Sequence, residues 1–315
     1  MDVSAREHRM QSTPHRTTFD GAGVALAGNF WPVDESDTPE QGIALFLHGV
    51  AQTRHSWRRT AARLAAAGWA AYTVDLRGHG DSEWAADGNY GVSAHLGDLQ
   101  KIIHTVRNIH PGLPVAIVGA SLGGKVALIG LGEDPDLADI LVLVDIAVTV
   151  EPRGGSRVRE FMKSAPAGFA SLEEAAEAVS AYKPGRPSAG NVEGLRKNLR
   201  LRDGRWYWHW DPAMLAPQDS TDPDAPVSEE IRQRASAAAQ RITRPVLLVR
   251  GQASDVVSGA GVDEMRRLIP HLEVIDVREA GHMVTGDDND MFTAGLGDFL
   301  TRAAADHGVL PKGTG

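Results

Sequence analysis

The chain has 315 residues, 42% of them hydrophobic and 23% charged, with 32 basic against 41 acidic side chains and a formal net charge of −9. This is an ordinary globular composition, long enough for one large α/β domain, and its acidic balance without any dense Lys/Arg run argues against a nucleic-acid partner. The absence of cysteine removes disulfides, Cys-ligated zinc and thiol catalysis together. The polar, His/Arg-rich stretch from Met1 to Thr18 has no apolar signal core. The longest apolar run, Ile140 to Val150, carries Asp145 and is too short to cross a bilayer. The expectation is a cytoplasmic protein with neither a membrane nor a nucleic-acid partner.

Taken in chain order, residues 1–16 read as a flexible leader. Arg16 to Trp31 alternates around the turn Asp20-Gly21-Ala22-Gly23 and predicts a hairpin. A regular rhythm follows. Short apolar runs at Ile43–Leu47, Ala70–Leu76, Val115–Val118 and Ile140–Ile146 alternate with helical segments at Trp57–Ala67, Ser93–Asn108 and Gly124–Leu131. Near-continuous apolar strands separated by helices are the pattern of a parallel sheet covered on both faces. After Val150 the strand signal stops. Helical segments at Arg157–Ser164, Leu172–Tyr182, Val192–Leu201 and Ser228–Arg241, joined by Pro/Gly-rich links such as Lys183 to Pro187, predict a helical insert over 151–243. Strands resume at Val246–Val249 and Leu272–Val277, with helices at Val262–Leu268 and Met291–Ala305 and a tail over 306–315. The core therefore comprises 17–150 and 244–305. Ligands in open α/β sheets bind beyond the carboxyl ends of the strands, which an insert entering there would roof.

At the end of the Val115 strand stands Gly119-Ala120-Ser121-Leu122-Gly123, followed by Gly124 and a helix. A serine on a sharp strand-to-helix turn projects its hydroxyl above the sheet, beside the helix N-terminus that favours negative charge. Two other readings compete: a glycine-rich turn with Ser121 as a helix N-cap, and a phosphate loop, since Gly119 to Val126 matches G-x-x-x-x-G-K but ends in valine where a Mg²⁺-binding hydroxyl belongs.

A serine hydroxyl needs a base. His282, in Glu279-Ala280-Gly281-His282-Met283, follows the last predicted strand and is the candidate. A third group must orient the imidazole. Asp255, in the turn-rich loop Arg250 to Asp255, is favoured over its rival Asp145, and the order Ser121, Asp255, His282 supports it. The oxyanion donors are then the amide of Leu122 and, from the loop Leu47-His48-Gly49-Val50-Ala51-Gln52, that of Val50, with His48 holding the loop.

Together Leu47-His48-Gly49, Asp75-Leu76-Arg77-Gly78-His79-Gly80-Asp81-Ser82, Gly119 to Gly123, Arg250 to Asp255 and Gly281-His282, spread over about residues 43–300 in order, resemble the α/β-hydrolase superfamily, in its branch of esterases, lactonases, cofactor-free perhydrolases and carbon–carbon bond hydrolases. The resemblance implies an α/β-hydrolase fold: a mostly parallel central sheet, helices on both faces and a helical cap inserted after the sixth strand. It also implies a structural role for the Asp75–Ser82 loop. Relatives that open epoxides or displace halides use an aspartate nucleophile, and the serine at position 121 sets those activities aside.

Trp206-Tyr207-Trp208-His209-Trp210 is the most aromatic segment, holding three of the chain's 7 tryptophans. Trp206, Trp208 and Trp210 are candidates for an apolar wall over the substrate, with packing inside the cap as the alternative; Trp57 and Met283, each beside a site loop, are further candidates. The reading calls for no metal and no cofactor. It points to cleavage of a small, fairly apolar ester or lactone through an acyl-enzyme on Ser121. A carbon–carbon bond hydrolase or perhydrolase with the same triad, and a non-catalytic ligand-binding member of the fold, are its rivals.

Overall fold

A computed structural model describes residues 13–33, 39–182, 192–216, 229–277 and 290–306. Strands β1 (His15–Asp20) and β2 (Ala25–Trp31) form the expected hairpin. Strands β3 (Gly42–Leu47), β4 (Trp69–Val74), β5 (Val115–Ala120) and β6 (Ile140–Val144) follow. A small hairpin, β7 (Leu199–Arg202) and β8 (Arg205–Trp208), stands apart, before β9 (Val246–Gly251) and β10 (Glu273–Val277). The main sheet has eight strands in the order β1-β2-β4-β3-β5-β6-β9-β10. From β4 to β10 every pairing is parallel, and β2 joins β4 antiparallel.

The helices are α1 (Arg58–Ala66), α2 (Val92–Ile109), α3 (Leu122–Glu133), α4 (Pro152–Met162), α5 (Leu172–Tyr182), α6 (Glu229–Ala239), α7 (Gly259–Leu268) and α8 (Asp290–Asp306). The two-residue period of a strand sorts them into layers. Ile43, Leu45 and Leu47 of β3 face one core with residues of α2, α3, α6 and α7, whereas Ala44 and Phe46 face the other with α1 and α8. Both faces are apolar, so the central strands are buried along their whole length, the property that made them legible as unbroken hydrophobic runs.

The insert departs from expectation in two respects. The predicted helix over 192–201 is a short 3₁₀ segment, Val192–Asn198, that runs into β7. The chain reverses at Asp203-Gly204, both with positive φ (48° and 74°), and returns as β8. Asp-Gly is the preferred pair for a type I′ turn, whose twist matches the flanking strands. Furthermore, α6 lies outside the insert's own apolar cluster. Its Ile231, Ala235 and Ala238 join the sheet's core, and a Cβ on Gly132 of α3 would sit 2.2 Å from the Ala238 carbonyl, so the two helices meet through glycine. The insert's cluster is built instead from Met162, Phe169, Leu172, Leu199, Trp208 and Trp210.

One buried charge network ties insert to core. Asp75, at the end of β4, is fully buried and raised in pKa by that burial, against the pull of Arg54. Its carboxylate accepts from the Arg54 amide (2.6 Å), the Asp81 amide (2.9 Å) and the Arg54 guanidinium, which also reaches Asp81 at 2.7 Å. Arg200 of β7 closes the far side on Asp81, also at 2.7 Å. Removing the guanidinium strands a carboxylate in the interior. Arg54→Ala is therefore expected to cost about 3–5 kcal/mol, read as a lowered urea midpoint; a shift under about 1 kcal/mol would show that water replaces the guanidinium.

Candidate active site

β5 lies in the middle of the sheet, and its carboxyl end turns abruptly into α3 at Ser121, whose backbone is held at φ 45° and ψ −111°. A non-glycine residue there costs on the order of 1–3 kcal/mol and persists only where its surroundings enforce it. They do so by close approach. A Cβ on Gly119 would lie 2.6 Å from Gly124, and one on Gly123 2.6 Å from Leu47 Cβ. The N-cap reading fails, because the Ser121 side chain caps no amide of α3. The hydroxyl is partly accessible and, among the described residues, without a hydrogen-bond partner.

The loop after β3 lies against it: a Cβ on Gly49 would be 3.2 Å from Ser121 Cβ. Its amides are accounted for one by one. Gly49 N–H donates to Gln52 Oε1 (3.0 Å), Ala51 N–H to His79 Nε2 (3.3 Å), and Gln52 N–H to the Gly49 carbonyl (3.1 Å). Across the cleft Gly123 N–H donates to the His48 carbonyl (3.3 Å). The amides of Val50 and Leu122 are left without partners among the described residues. These are the two groups expected to serve as oxyanion donors.

The two aspartates have different surroundings. Asp145 follows β6, the strand next to the serine's, and is 1% exposed with φ 49°. Its carboxylate accepts from the Gly251 amide (3.3 Å) and from Ser254 Oγ (2.7 Å), and Ser254 Oγ in turn accepts from the amides of Val256 and Val257. The side chain of Asp255 is 33% exposed and paired at 2.9 Å with Arg157 of α4, whose guanidinium also lies over the Tyr182 ring. The Asp255 loop is the seat of the insert's first helix: Glu151 N–H donates to the Val256 carbonyl, and Gly154 lets α4 approach the Asp255 backbone. His282 and Met283 lie outside the described residues.

Of the predicted pocket residues, Trp208 and Trp210 stack at 4.9 Å and 12°, with Phe161 and Phe169 around Trp208, in the apolar cluster against which Val50 and Ala51 pack. Trp206 is half-buried beneath the Arg196 guanidinium. Trp57 is corrected: its fully buried ring tilts on Phe46 in the core layer of α1 and α8, because the 3₁₀ turn Arg54–Trp57 directs it beneath the sheet.

Sequence reasoning did not find the row of buried imidazoles beneath the loop after β3. His48 donates from Nδ1 to the Gly49 carbonyl and accepts at Nε2 from the Leu76 amide; His79 donates from Nδ1 to the Arg77 carbonyl and accepts at Nε2 from Ala51. His209, just past β8, accepts at Nδ1 from the Gly80 amide at 2.7 Å. The rings of His48 and His79 are 4.9 Å apart, and those of His79 and His209 5.8 Å. Burial pushes His48 down to about 4 and His79 to about 3, and takes His95 and His209 well below the usual imidazole range. All four are neutral at pH 7. His79 was visible in its motif, but nothing in the sequence marks His209 as its neighbour.

A family model described as "Serine aminopeptidase, S33" matches residues 38–184. The chain is 30% identical over 261 residues to esterase Rv0045c of Mycobacterium tuberculosis, covering 77% of each. It is 27% identical over 258 residues to 2-(acetamidomethylene)succinate hydrolase of Mesorhizobium japonicum, covering 82% of this chain and 87% of that protein. Among solved structures, E-2-(acetamidomethylene)succinate hydrolase superposes with a TM-score of 0.73 at 21% identity, over 91% of this chain and 99% of that one. The Rv0045c esterase gives 0.70 at 25%, over 95% and 96%. The chain belongs to the α/β-hydrolase superfamily, and its relatives are named esterases, lipases and other hydrolases.

The neutral imidazoles link stability to pH. Their folded pKa values are depressed, so their stabilising contribution is intact above the unfolded value near 6.5 and declines as pH falls toward 4 and 3, because the unfolded chain binds protons that the folded one refuses. Each group contributes up to about 1.4 kcal/mol per pH unit in that window. Urea titrations between pH 7.5 and 4.5 are expected to show the midpoint falling on acidification, with proton uptake on unfolding. A flat midpoint across that range would contradict it.

Proposed function

We propose that the protein is a serine hydrolase acting by two-step acyl transfer on a small, fairly apolar carboxylic ester or lactone. The observation that carries this reading is a strained, uncapped Ser121 beside the loop after β3, with the amides of Val50 and Leu122 left without partners among the described residues. Ser121 attacks the carbonyl as His282 takes its proton, and the oxyanion rests on the two amides. His282 then protonates the leaving group, and water repeats the sequence on the acyl-enzyme. The relatives' names as esterases and lipases support ester chemistry. The stacked Trp208 and Trp210 beside Val50 support an apolar acyl group.

For the acid, the geometry favours Asp145 over Asp255. A triad acid must be buried, anionic and fixed, so that it selects the tautomer of the imidazole and stabilises its cation. Asp145 is buried and, among the described residues, accepts from Gly251 and Ser254, which fix its carboxylate. The charge of Asp255 already answers Arg157, which weakens what it could offer an imidazolium.

The first test is labelling with a fluorophosphonate followed by peptide mass spectrometry, with a stoichiometric adduct expected on Ser121. An aryl-ester, lactone and diketone panel then separates ester hydrolysis from carbon–carbon cleavage. Ser121→Ala is expected to lower kcat by about 10³–10⁶ and Asp145→Asn by about 10⁴, while Asp255→Asn changes kcat by less than about fivefold. The reverse ranking of the two aspartates would return the acid's role to Asp255, and a Ser121→Ala enzyme keeping a tenth of its activity would end the acyl-enzyme reading.

A further inference from the structure

Two hydrogen bonds connect the cap hairpin to the proposed oxyanion loop in series. His209, which leaves β8, is 1% exposed and takes the Gly80 amide on Nδ1 at 2.7 Å. Gly80 follows His79, whose ring lies 5.8 Å from that of His209. His79 Nε2 takes the Ala51 amide. Ala51, at φ 62° without being glycine, directly follows Val50, so holding its amide fixes the peptide next to the one that carries the Val50 N–H. The buried Nε2 of His209 has no hydrogen-bond partner among the described residues. Ala51 is thus held by His79 of the core, while Val50 and Ala51 pack against the cap's apolar cluster.

We propose that His79 and His209 are positioning residues for the oxyanion hole, transmitting the seating of the cap hairpin to the Val50 amide through Gly80 and Ala51. The inference rests on the acyl-transfer reading of Ser121. It gives the cap a second role besides walling the pocket: a correctly seated cap completes the electrostatic machinery. The arrangement demands opposite tautomers, because His79 accepts at Nε2 and carries its proton on Nδ1, whereas His209 accepts at Nδ1 and carries its proton on Nε2.

The test begins with fluorophosphonate labelling of the wild-type protein. An unlabelled Ser121 would remove the acyl-transfer reading and this inference with it. With Ser121 labelled, steady-state kinetics on an aryl ester are compared for His209→Phe and His209→Asn, and for His79→Phe and His79→Gln. Asn Oδ1 stands near the position of Nδ1 and Gln Oε1 near that of Nε2, so each polar variant keeps the acceptor that phenylalanine lacks. The phenylalanine variants are expected to lose about 10- to 100-fold in kcat with KM changed less than about threefold, since one oxyanion donor is displaced but still present. The polar variants are expected to recover most of that loss. A loss confined to KM, or equal kcat for the phenylalanine and polar variants, would overturn the inference while leaving Ser121 as nucleophile. Should the phenylalanine variants not fold, ¹⁵N spectra of the wild-type histidines decide: the expected result is His79 protonated on Nδ1 and His209 on Nε2, and the opposite tautomer at either position overturns the proposal.

Discussion

The site depends on how closely three pieces of backbone approach at the carboxyl end of the sheet. Gly119, Gly123 and Gly124 let β5, the start of α3 and the end of β3 pass within distances that no Cβ would tolerate. That compression drives Ser121 into its positive-φ conformation and brings the Gly49–Gln52 loop against it. Close packing converts this into function. A loosely packed turn would let Ser121 relax toward the helical region, turning its hydroxyl toward the α3 amides as an N-cap and away from any base. The glycines are therefore better read as a steric requirement of the Ser121 orientation than as a flexible hinge.

Around that turn, polar satisfaction decides what each group is free to do. The loop after β3 leaves one amide available because its other donors have been assigned to Gln52, His79 and the loop's own carbonyl. The carboxylates divide in the same manner. Asp75 spends its lone pairs on Arg54 and Asp81 and is structural; Asp255 answers Arg157 at the base of α4; Asp145 is fixed by Ser254 and Gly251 at the level of the serine. A chain with many acidic residues thus separates scaffold, anchor and candidate acid by burial and partner rather than by residue type.

Much of this could be read from the sequence where the signal was local or periodic. The apolar runs of β3 to β6, the turn at Ser121 and the glycine loop after β3 are all local patterns, and their assignments carry through to the sheet and its central turn. What failed were questions of direction and of long-range company. The hairpin of β7 and β8 carried its Asp203-Gly204 turn in plain view, but Leu199 and Trp208, its buried ends, bracket only short strands that a helical frame absorbed. α6 reads as part of the insert by position and joins the core by packing, which only the contact of Gly132 with Ala238 reveals. Trp57 sits next to a site loop in the chain yet points beneath the sheet. Adjacency in sequence does not fix which way a side chain points, and no propensity does.

The imidazole row follows the same rule and adds a constraint of its own. Three histidines in sequentially distant segments act as hydrogen-bond acceptors for backbone amides in a place where water does not reach. A carboxylate could accept there as well, but burying its charge would cost far more, and an amide side chain would bring a second donor that must also be satisfied. Neutral imidazole supplies one acceptor and one donor on a rigid ring, which suits a lone inward-facing N–H beside a lone carbonyl. His48 and His79 use both; His209 uses its acceptor, and its Nε2 has no partner among the described residues. The same choice makes the loop sensitive to protonation, because a proton on any of these acceptors would set two N–H groups against each other. Rigidity of the loop after β3 and intolerance of acid are therefore two consequences of one arrangement.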